Sequence, residues 1–439
     1  MLESILLKDI EIITPTDSYQ GDMLVKNGKI AAIEASINTS AECVINEKGL
    51  TVIPGVIDPH VHFRDPGATH KEDIASGSHA AASGGVTTFF DMPNTNPATV
   101  TREAMAQKKA HAATQSLVNY NFYIGATADN LSELQTVENV PGIKIYVGSS
   151  TGSLLVDQAD ALERIFSETD KIIAVHSEDE AMFRQKLSEY SNSTDVKDHE
   201  YIRSAEGALK CTKMLCELAI KHNHRLHICH LTTKEEVDYL RSLNKSPLIT
   251  TEVTPQHLLT YSPDIYDQWG TKAQINPPIR SQKHQIALFN ALKEGVIHCM
   301  GSDHAPHLEQ EKNQPFGQAP SGMPGVETSL PLLLNLVAHG HFSLVECCLK
   351  MATIPAQIFK IKHKGQLAVG YDADFVLIDR KGQYQITKKS LQTKAQWSIF
   401  EGKNIIGKPI ATYVNGQCVY REGSFFTDIK GQEVQFLHS

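Results

Sequence analysis

Eight apolar, strand-like runs alternate with helix-like segments through the middle of the chain. The runs are GVIDPHVH, TTFFDMPN, NYNFYIGA, GIKIYV, IIAVHSED, RLHICHL, LITTEVT and VIHCMGSD. Segments such as EGALKCTKMLCELAIKH and QKHQIALFNALKEG separate them and indicate helices. Strands that alternate with helices favour a parallel sheet, and eight such units of about 250 to 310 residues are typical of a barrel. We therefore predict an α/β fold, a (β/α)8 TIM-like barrel over residues 54–364.

The two ends of the chain differ from this middle and resemble each other. Short strand-like segments with turn residues fill residues 1–53, and similar segments fill residues 365–439. Asn27-Gly28 and Asn415-Gly416 lie between such segments, and Asn-Gly is a strong signal for a two-residue hairpin turn. We therefore expect a small β-sandwich domain that the N- and C-terminal segments form together.

Composition and charge argue against several classes of protein. Of 439 residues, 41% are hydrophobic and 21% are charged, which excludes disorder as the main state of the chain. The net charge of -9 argues against binding to nucleic acid or to an anionic membrane. The eight cysteines form no C-x-x-C pair, and charged residues interrupt the N-terminal segment, where a signal peptide needs an apolar run. We expect a cytoplasmic protein with reduced thiols, no nucleic-acid partner and no membrane span.

Side chains that can bind a metal recur where the predicted strands end. Catalytic groups in barrels of this kind lie at the C-terminal ends of the strands. His60, His62 and Arg64 follow the first strand at intervals of two and share one face of it. The other strand ends carry Lys144, His176, His230 and Asp303. Each residue alone has an ordinary structural explanation, but together they predict a metal site, and nitrogen and oxygen donors suit zinc or a similar divalent ion.

The order of these residues is similar to that in the cyclic amidohydrolases, and the similarity extends over nearly the whole chain. The segments DPHVHFRDPG, GSDHAPH and SGMPGVETSLPLL resemble in particular the dihydroorotases of the larger type. This resemblance implies two zinc ions per chain, bridged by a carboxylated lysine and a hydroxide. It assigns His60, His62 and Asp303 to the first ion, His176 and His230 to the second, and carboxylated Lys144 to both.

Some enzymes of this type have an aspartate in place of the bridging lysine. Lys144 stands in the lysine-type context GIKIYVGSSTG, whereas Asp157 stands at the predicted start of a helix, as its capping residue. We therefore favour a carboxylated Lys144. Carboxylation converts a buried cation into an anion, whose charge two metal ions offset.

The same resemblance assigns residues to the substrate. Arg64 is the main discriminator, because a guanidinium takes a carboxylate in a bidentate fork and the related hydantoinases and allantoinases generally lack this arginine. The other implied contacts are Asn94, Asn276, His307, Ser321 and Gly322. Asn94 and Asn276 stand in proline-rich turns, where asparagine is common for structural reasons alone.

The implied reaction is the reversible cyclisation of N-carbamoyl-L-aspartate to L-dihydroorotate in de novo pyrimidine (UMP) biosynthesis. In the hydrolytic direction, catalytic Asp303 takes the proton of the attacking hydroxide and delivers it to the departing ring nitrogen. Residues 148–152 are expected to form a loop beside the site. In that loop, Ser150 or Thr151 either closes over the substrate or belongs to an ordinary turn.

Two alternatives stay open. The first is an allantoinase or hydantoinase-type hydrolase of another cyclic ureide, against which Arg64 argues. The second is a non-catalytic amidohydrolase-like scaffold for a partner such as a transcarbamoylase, against which the complete set of ligand residues argues. The partners that we expect are a small-molecule substrate and further copies of the chain, in a homodimer or other homo-oligomer. His227 and His304 are expected to point away from the metals.

Overall fold

The computed structural model of the chain describes residues 2–149, 154–243 and 245–437. Its strands are β1 Ser4–Ile13, β2 Ser18–Lys26, β3 Lys29–Glu34, β4 Cys43–Ile45, β5 Thr51–Pro54, β6 Val56–Val61, β7 Val86–Asp91, β8 Asn119–Phe122, β9 Ile124–Gly125, β10 Ile143–Tyr146, β11 Ile173–His176, β12 Leu226–Ile228, β13 Ile249–Val253, β14 Cys299–Met300, β15 Phe375–Gln385, β16 Asn404–Val414, β17 Gln417–Arg421 and β18 Ser424–Phe425.

The α-helices are α1 Ile74–Ser83, α2 Arg102–Gln115, α3 Leu131–Thr136, α4 Ala159–Glu168, α5 Glu180–Glu189, α6 His199–Ile202, α7 Ala205–Lys221, α8 Lys234–Ser242, α9 Pro255–Leu259, α10 Asp264–Trp269, α11 Gln282–Glu294, α12 Glu309–Lys312, α13 Ser329–Ala338, α14 Leu344–Cys348 and α15 Ile354–Ile358. Within the part of the chain that the structure covers, no helix combines the length and apolar character that a membrane crossing requires.

Strands β6 to β14 form the barrel. They pair in parallel in two sheets, β6-β7-β8 and β9-β10-β11-β12-β13-β14. Strands β8 and β9 are one barrel strand interrupted at Tyr123, and the ring closes where Val61 bridges to His304. Every residue of β6, β7, β10 and β11 is buried, as expected for parallel strands that are covered on both faces. The predicted (β/α)8 barrel is confirmed.

The outer helices form where capping residues and apolar faces coincide. In α7, the hydroxyl of Ser204 accepts the amide of Gly207 at 3.1 Å and so caps the first turn. The same helix buries Cys211, Leu215 and Ala219 in the main hydrophobic core around the barrel. Because these residues recur every four positions, one face of α7 covers the strands, and the opposite face exposes Glu206, Lys210 and Glu217.

The two ends of the chain meet in one sheet beside the barrel. Its strand order is β18-β17-β16-β15-β5-β1-β2-β3, with β4 paired to β1. The antiparallel pairing of β15 with β5 joins the C-terminal half of this sheet to the N-terminal half. Asn27-Gly28 and Asn415-Gly416 both have positive φ angles, as the tight hairpin turns at these positions require. The sheet from both termini is thus confirmed as part of the predicted fold.

Two segments that the sequence placed in the terminal domain lie against the barrel instead. Trp397 is fully buried, and its indole nitrogen donates to the carbonyl of His307 at 2.8 Å. Near the C-terminus, the amide of Val434 donates to the carbonyl of Tyr120 at 3.0 Å. Burial of apolar surface accounts for the position of Trp397. The segment of Val434 pairs with the open edge of β8, which carries Tyr120. The boundaries 1–53, 54–364 and 365–439 therefore remain predictions.

Replacement of Asp374 tests the junction between the two domains. Its carboxylate accepts Lys364 at 2.6 Å and the side-chain amide of Asn119, on β8, at 3.0 Å. Asp374→Ala leaves a buried ammonium short of one partner, so we expect the free energy of unfolding to fall by about 3 kcal/mol in chemical denaturation. Lys29→Ala, which breaks an exposed ion pair, should cost less than about 1 kcal/mol. Equal losses would show that burial does not govern this contact.

Candidate metal centre and substrate pocket

Five of the six predicted metal ligands meet at the C-terminal end of the barrel. His60 and His62 lie at the end of β6, His176 ends β11, and His230 and Asp303 follow β12 and β14. The Nε2 atoms of His60 and His62 lie 3.4 and 3.2 Å from Oδ1 of Asp303. His60, His230 and Asp303 also place ligand atoms within 4.8 Å of one another. The predicted donors of the first ion therefore share one small volume.

His176 and His230 form a second pair of donors. Nδ1 of His176 lies 3.1 Å from Nε2 of His230, and Nε2 of His176 donates to Glu178 at 2.8 Å. Because the proton of His176 lies on Nε2, in the hydrogen bond to Glu178, Nδ1 of His176 presents a lone pair to His230. Burial, together with His176 and His60, holds the pKa of His230 well below its ordinary value. The pair offers neutral imidazoles, the form that binds a metal.

The charge around His60 also fits a divalent cation. Against the effect of burial, which lowers it, the carboxylates of Glu252 and Asp303 raise the pKa of His60 to about 10. The ring therefore stands in a field that favours positive charge. A metal ion held by these side chains would offset the same negative charge, so the donor set fits the group that the sequence predicts.

Two buried glutamates orient the histidines, and the sequence interpretation missed both. Oε1 of Glu252, on β13, lies 2.5 Å from Nδ1 of His60, and Oε2 lies 3.2 Å from Nε2 of His227. Glu178 accepts His176 and is itself held by Arg203 at 2.5 Å. Such outer carboxylates fix which ring nitrogen faces the centre. The sequence contains a signal for both glutamates, because each stands at the end of a predicted strand, in TEVT and in HSED.

His62 is oriented by Asn94, a residue that the sequence assigned to the substrate. Oδ1 of Asn94 accepts Nδ1 of His62 at 2.7 Å, which leaves Nε2 of His62 facing Asp303. A contact of Asn94 with substrate therefore remains a prediction. His304 points away from the donors, as expected, with its Nε2 3.4 Å from the buried Glu72.

Lys144 lies among the donors but does not bond to them. It is fully buried on β10, its Nζ lies 3.2 Å from Sγ of Cys229, and it stands 5.0 Å from the centre of the Tyr146 ring. No carboxylate of the described residues lies within salt-bridge distance of it. Burial of an ammonium without an anionic partner costs free energy, and carboxylation of the lysine would remove the positive charge that causes this cost. Cys229 also groups with His60 and Glu252 as a second set of potential metal donors.

Three residues of the site occupy backbone conformations that L-amino acids seldom adopt. Arg64, His230 and Asp303 have φ angles of 61°, 35° and 47°. Each of them lies two or three residues beyond the last residue of a barrel strand. Positive φ at such positions costs on the order of 1 to 3 kcal/mol and persists where the surroundings impose it. The backbone therefore turns sharply at the three positions that carry these side chains.

A small cavity of about 20 Å³ lies over the donors. Its walls include three of the predicted substrate contacts, Asn276, Ser321 and Gly322, as well as the ring of Tyr146. Gly322 has a φ of 134°, and a Cβ there would lie 2.5 Å from the carbonyl oxygen of Ala305, so only glycine fits. Ser150 and Thr151, which the sequence placed near this opening, lie outside the described residues.

Arg64 and His307 lie beside this cavity. Nε of Arg64 donates to the carbonyl of Pro306 at 3.1 Å, and Nη2 lies 3.1 Å from Nε2 of His307. Nε2 of His307 is also 3.1 Å from the carbonyl of Ser321. Arg64 is only 8% exposed, yet no described carboxylate lies within ion-pair distance of it. This side of the pocket therefore carries an uncompensated positive charge.

Comparisons with known proteins identify the family of the chain. Residues 51–419 match the model of the Amidohydrolase family. A dihydroorotase of Methanosarcina acetivorans is 34% identical over 438 residues, which cover 96% of this chain and 93% of that protein. A dihydroorotase of Halobacterium salinarum is 38% identical over 389 residues, or 88% of this chain and 89% of that protein. Among solved structures, an L-hydantoinase (dihydropyrimidinase) from Arthrobacter aurescens superposes with a TM-score of 0.93 at 28% identity, covering 99% of this chain and 100% of that chain.

Glu252→Gln tests the orientation of His60. The amide offers only one acceptor to two histidines, so we expect zinc affinity to fall by about 10- to 100-fold in competition with a chelator. Glu236→Gln is the matched control, since Glu236 is an equally buried glutamate that bonds to Thr212 and Thr233. Equal zinc affinity in the two variants would contradict this role for Glu252.

Proposed function

Because the chain belongs to the amidohydrolase family, we propose that it is a zinc-dependent dihydroorotase. It interconverts N-carbamoyl-L-aspartate and L-dihydroorotate and serves de novo pyrimidine (UMP) biosynthesis. The curated relatives named dihydroorotase support this choice of substrate within the family. The observation that carries the proposal is the pairing of a metal-type donor set with a buried guanidinium that has no ion pair among the described residues.

Both proposed substrates carry a carboxylate that the reaction leaves unchanged. Arg64 can take such a group in a bidentate fork, and the exchange is favourable because a buried cation gains the anion it lacks. His307, Asn276, Ser321 and Gly322 surround the same space and supply the remaining contacts to the ring in this proposal. Asn94 supplies one more contact while it orients His62.

The proposed metal content is two zinc ions. His60, His62 and Asp303 would hold the first ion, His176 and His230 would hold the second, and Lys144, once carboxylated, would supply a ligand to both. When bound, the metal ions polarise the ring amide and lower the pKa of a water molecule. The carboxylated form of Lys144 is an expectation from the family resemblance and from the burial of the lysine.

Asp303 is the proposed proton carrier. Burial raises the pKa of its carboxyl, but His60 and His62 outweigh burial and hold it below its ordinary value. Asp303 therefore begins hydrolysis as a carboxylate that accepts the proton of the attacking water. It then returns that proton to the ring nitrogen as the C–N bond breaks. Cyclisation is the reverse sequence, in which Asp303 starts protonated.

A second candidate function is hydrolysis of an uncharged cyclic ureide such as a hydantoin. The structural likeness to an L-hydantoinase favours it, whereas the unpaired charge of Arg64 argues against it. A non-catalytic scaffold is disfavoured because all six positions of the predicted ligand set carry side chains able to bind metal. We also propose that the protein forms a homodimer or other homo-oligomer and that it is located in the cytoplasm.

Asp303→Asn tests the proton carrier. The amide keeps the size of the side chain but accepts no proton, so we expect the turnover of L-dihydroorotate to fall by roughly 10²- to 10⁴-fold. Zinc content and thermal midpoint, measured on the same preparation, show whether the fold and the metal are retained. Near-normal turnover in a zinc-loaded variant would rule out this role.

A substrate panel with Arg64→Met tests the reaction itself. The wild-type protein should hydrolyse L-dihydroorotate and should leave dihydrouracil, hydantoin and allantoin nearly untouched. Loss of the guanidinium should raise KM for dihydroorotate by about 10- to 100-fold, the value of one or two charge-assisted hydrogen bonds. Arg102→Met, at an arginine that is 60% exposed, is the control. Preference of the wild type for hydantoin would establish the second candidate instead.

A further inference from the structure

His307 lies between two cationic side chains that approach opposite edges of its ring. Nζ of Lys71 lies 3.0 Å from Nδ1, and Nη2 of Arg64 lies 3.1 Å from Nε2. The carbonyl of Ser321 is 3.1 Å from the same Nε2 atom. A lysine ammonium and a guanidinium have only N–H groups, whereas a carbonyl only accepts. These contacts cannot all be satisfied by one protonation state of the ring.

The contact with Lys71 decides where the proton of His307 lies. Burial, together with Arg64, Lys71 and Lys312, holds the pKa of His307 far below its ordinary value, so the ring is neutral. Because the ammonium of Lys71 must donate, Nδ1 carries the lone pair and Nε2 carries the proton. Nε2–H then donates to Ser321, and Arg64 is left without an acceptor on the imidazole.

We infer that Lys71 is a specificity-determining positioning residue, which fixes His307 in its Nε2–H tautomer so that Nη2 of Arg64 stays available to donate to the substrate. This inference deepens the proposed function and rests on it for the identity of the ligand. A guanidinium with available N–H groups favours a ligand that carries a carboxylate, with its several lone pairs, over an uncharged ureide that has a carbon-bound hydrogen in its place. Lys71 thus acts on the substrate through His307 rather than by touching it.

The neighbouring carboxylate shows what Lys71 prevents. Oε1 of Glu311 pairs with Lys71 at 3.0 Å, and Oε2 of Glu311 lies 3.9 Å from Nδ1 of His307. Without the ammonium, Glu311 is the nearest acceptor for an Nδ1 proton. The ring then takes the Nδ1–H tautomer, and its Nε2 lone pair accepts Arg64. The guanidinium would be occupied by His307 before any substrate arrives.

The test compares Lys71→Met with Lys71→Arg in zinc-loaded protein labelled with ¹⁵N-histidine. Long-range ¹H–¹⁵N spectra distinguish protonated from unprotonated ring nitrogens, and His307→Gln identifies the signals of His307. We expect Nε2–H in the wild type and in Lys71→Arg, which keeps a donor at this position, and Nδ1–H in Lys71→Met. Lys71→Met should also raise KM for L-dihydroorotate by about tenfold, with kcat within about twofold.

Lys109→Met is the matched control, because Lys109 pairs with Glu433 at 2.8 Å and is 15% exposed in its side chain, against 17% for Lys71. It should keep the wild-type tautomer and KM. An unchanged tautomer in Lys71→Met would overturn the inference, and so would a changed tautomer with an unchanged KM. If the wild type does not turn over L-dihydroorotate, the proposed function fails, and the spectra of the ligand-free protein still decide the role of Lys71 in fixing the tautomer.

Discussion

Closure of the barrel is the constraint on which the site depends. The amide of His62 donates to the carbonyl of His304 at 2.8 Å, and this bond joins the end of the first barrel strand to the segment that follows the last. The amide of Ser302 donates to Asp58 across the same seam at 3.0 Å. Residues that are about 240 positions apart in the chain thereby hold Asp303 against His60 and His62. Without this seam the proposed donors of the first ion would belong to separate ends of an open sheet.

Much of the site could be predicted because barrels place their functional groups at one end. His60, His62, His176, His230 and Asp303 each follow an apolar run, so the periodicity of the sequence was enough to assemble them. The partners of these residues could not be found in the same way. Glu252 reaches His60 from a strand 192 residues later, and no local pattern marks that contact. The contacts of Lys71 with His307 and of Asn94 with His62 could not be predicted either, because both residues lie in loops, where the direction of a side chain depends on tertiary packing.

The charges of the pocket are divided between two sides. The side that holds the metal donors concentrates carboxylates, Glu178, Glu252 and Asp303, which suit cations. The opposite side holds Arg64, which has no ion pair among the described residues, beside a neutral imidazole, and this suits an anion. Such a division places the invariant carboxylate of a substrate away from the bond that reacts, so one end of the ligand is fixed while the other is transformed. The whole-chain charge of -9 conceals this local arrangement.

The contact between Trp397 and the carbonyl of His307 links the pocket to a late part of the chain. During synthesis, all of the proposed metal donors have been added by residue 303, whereas the indole that bonds to His307 follows about 90 residues later. A chain that ends before Trp397 would therefore contain every proposed donor but would lack this support for His307.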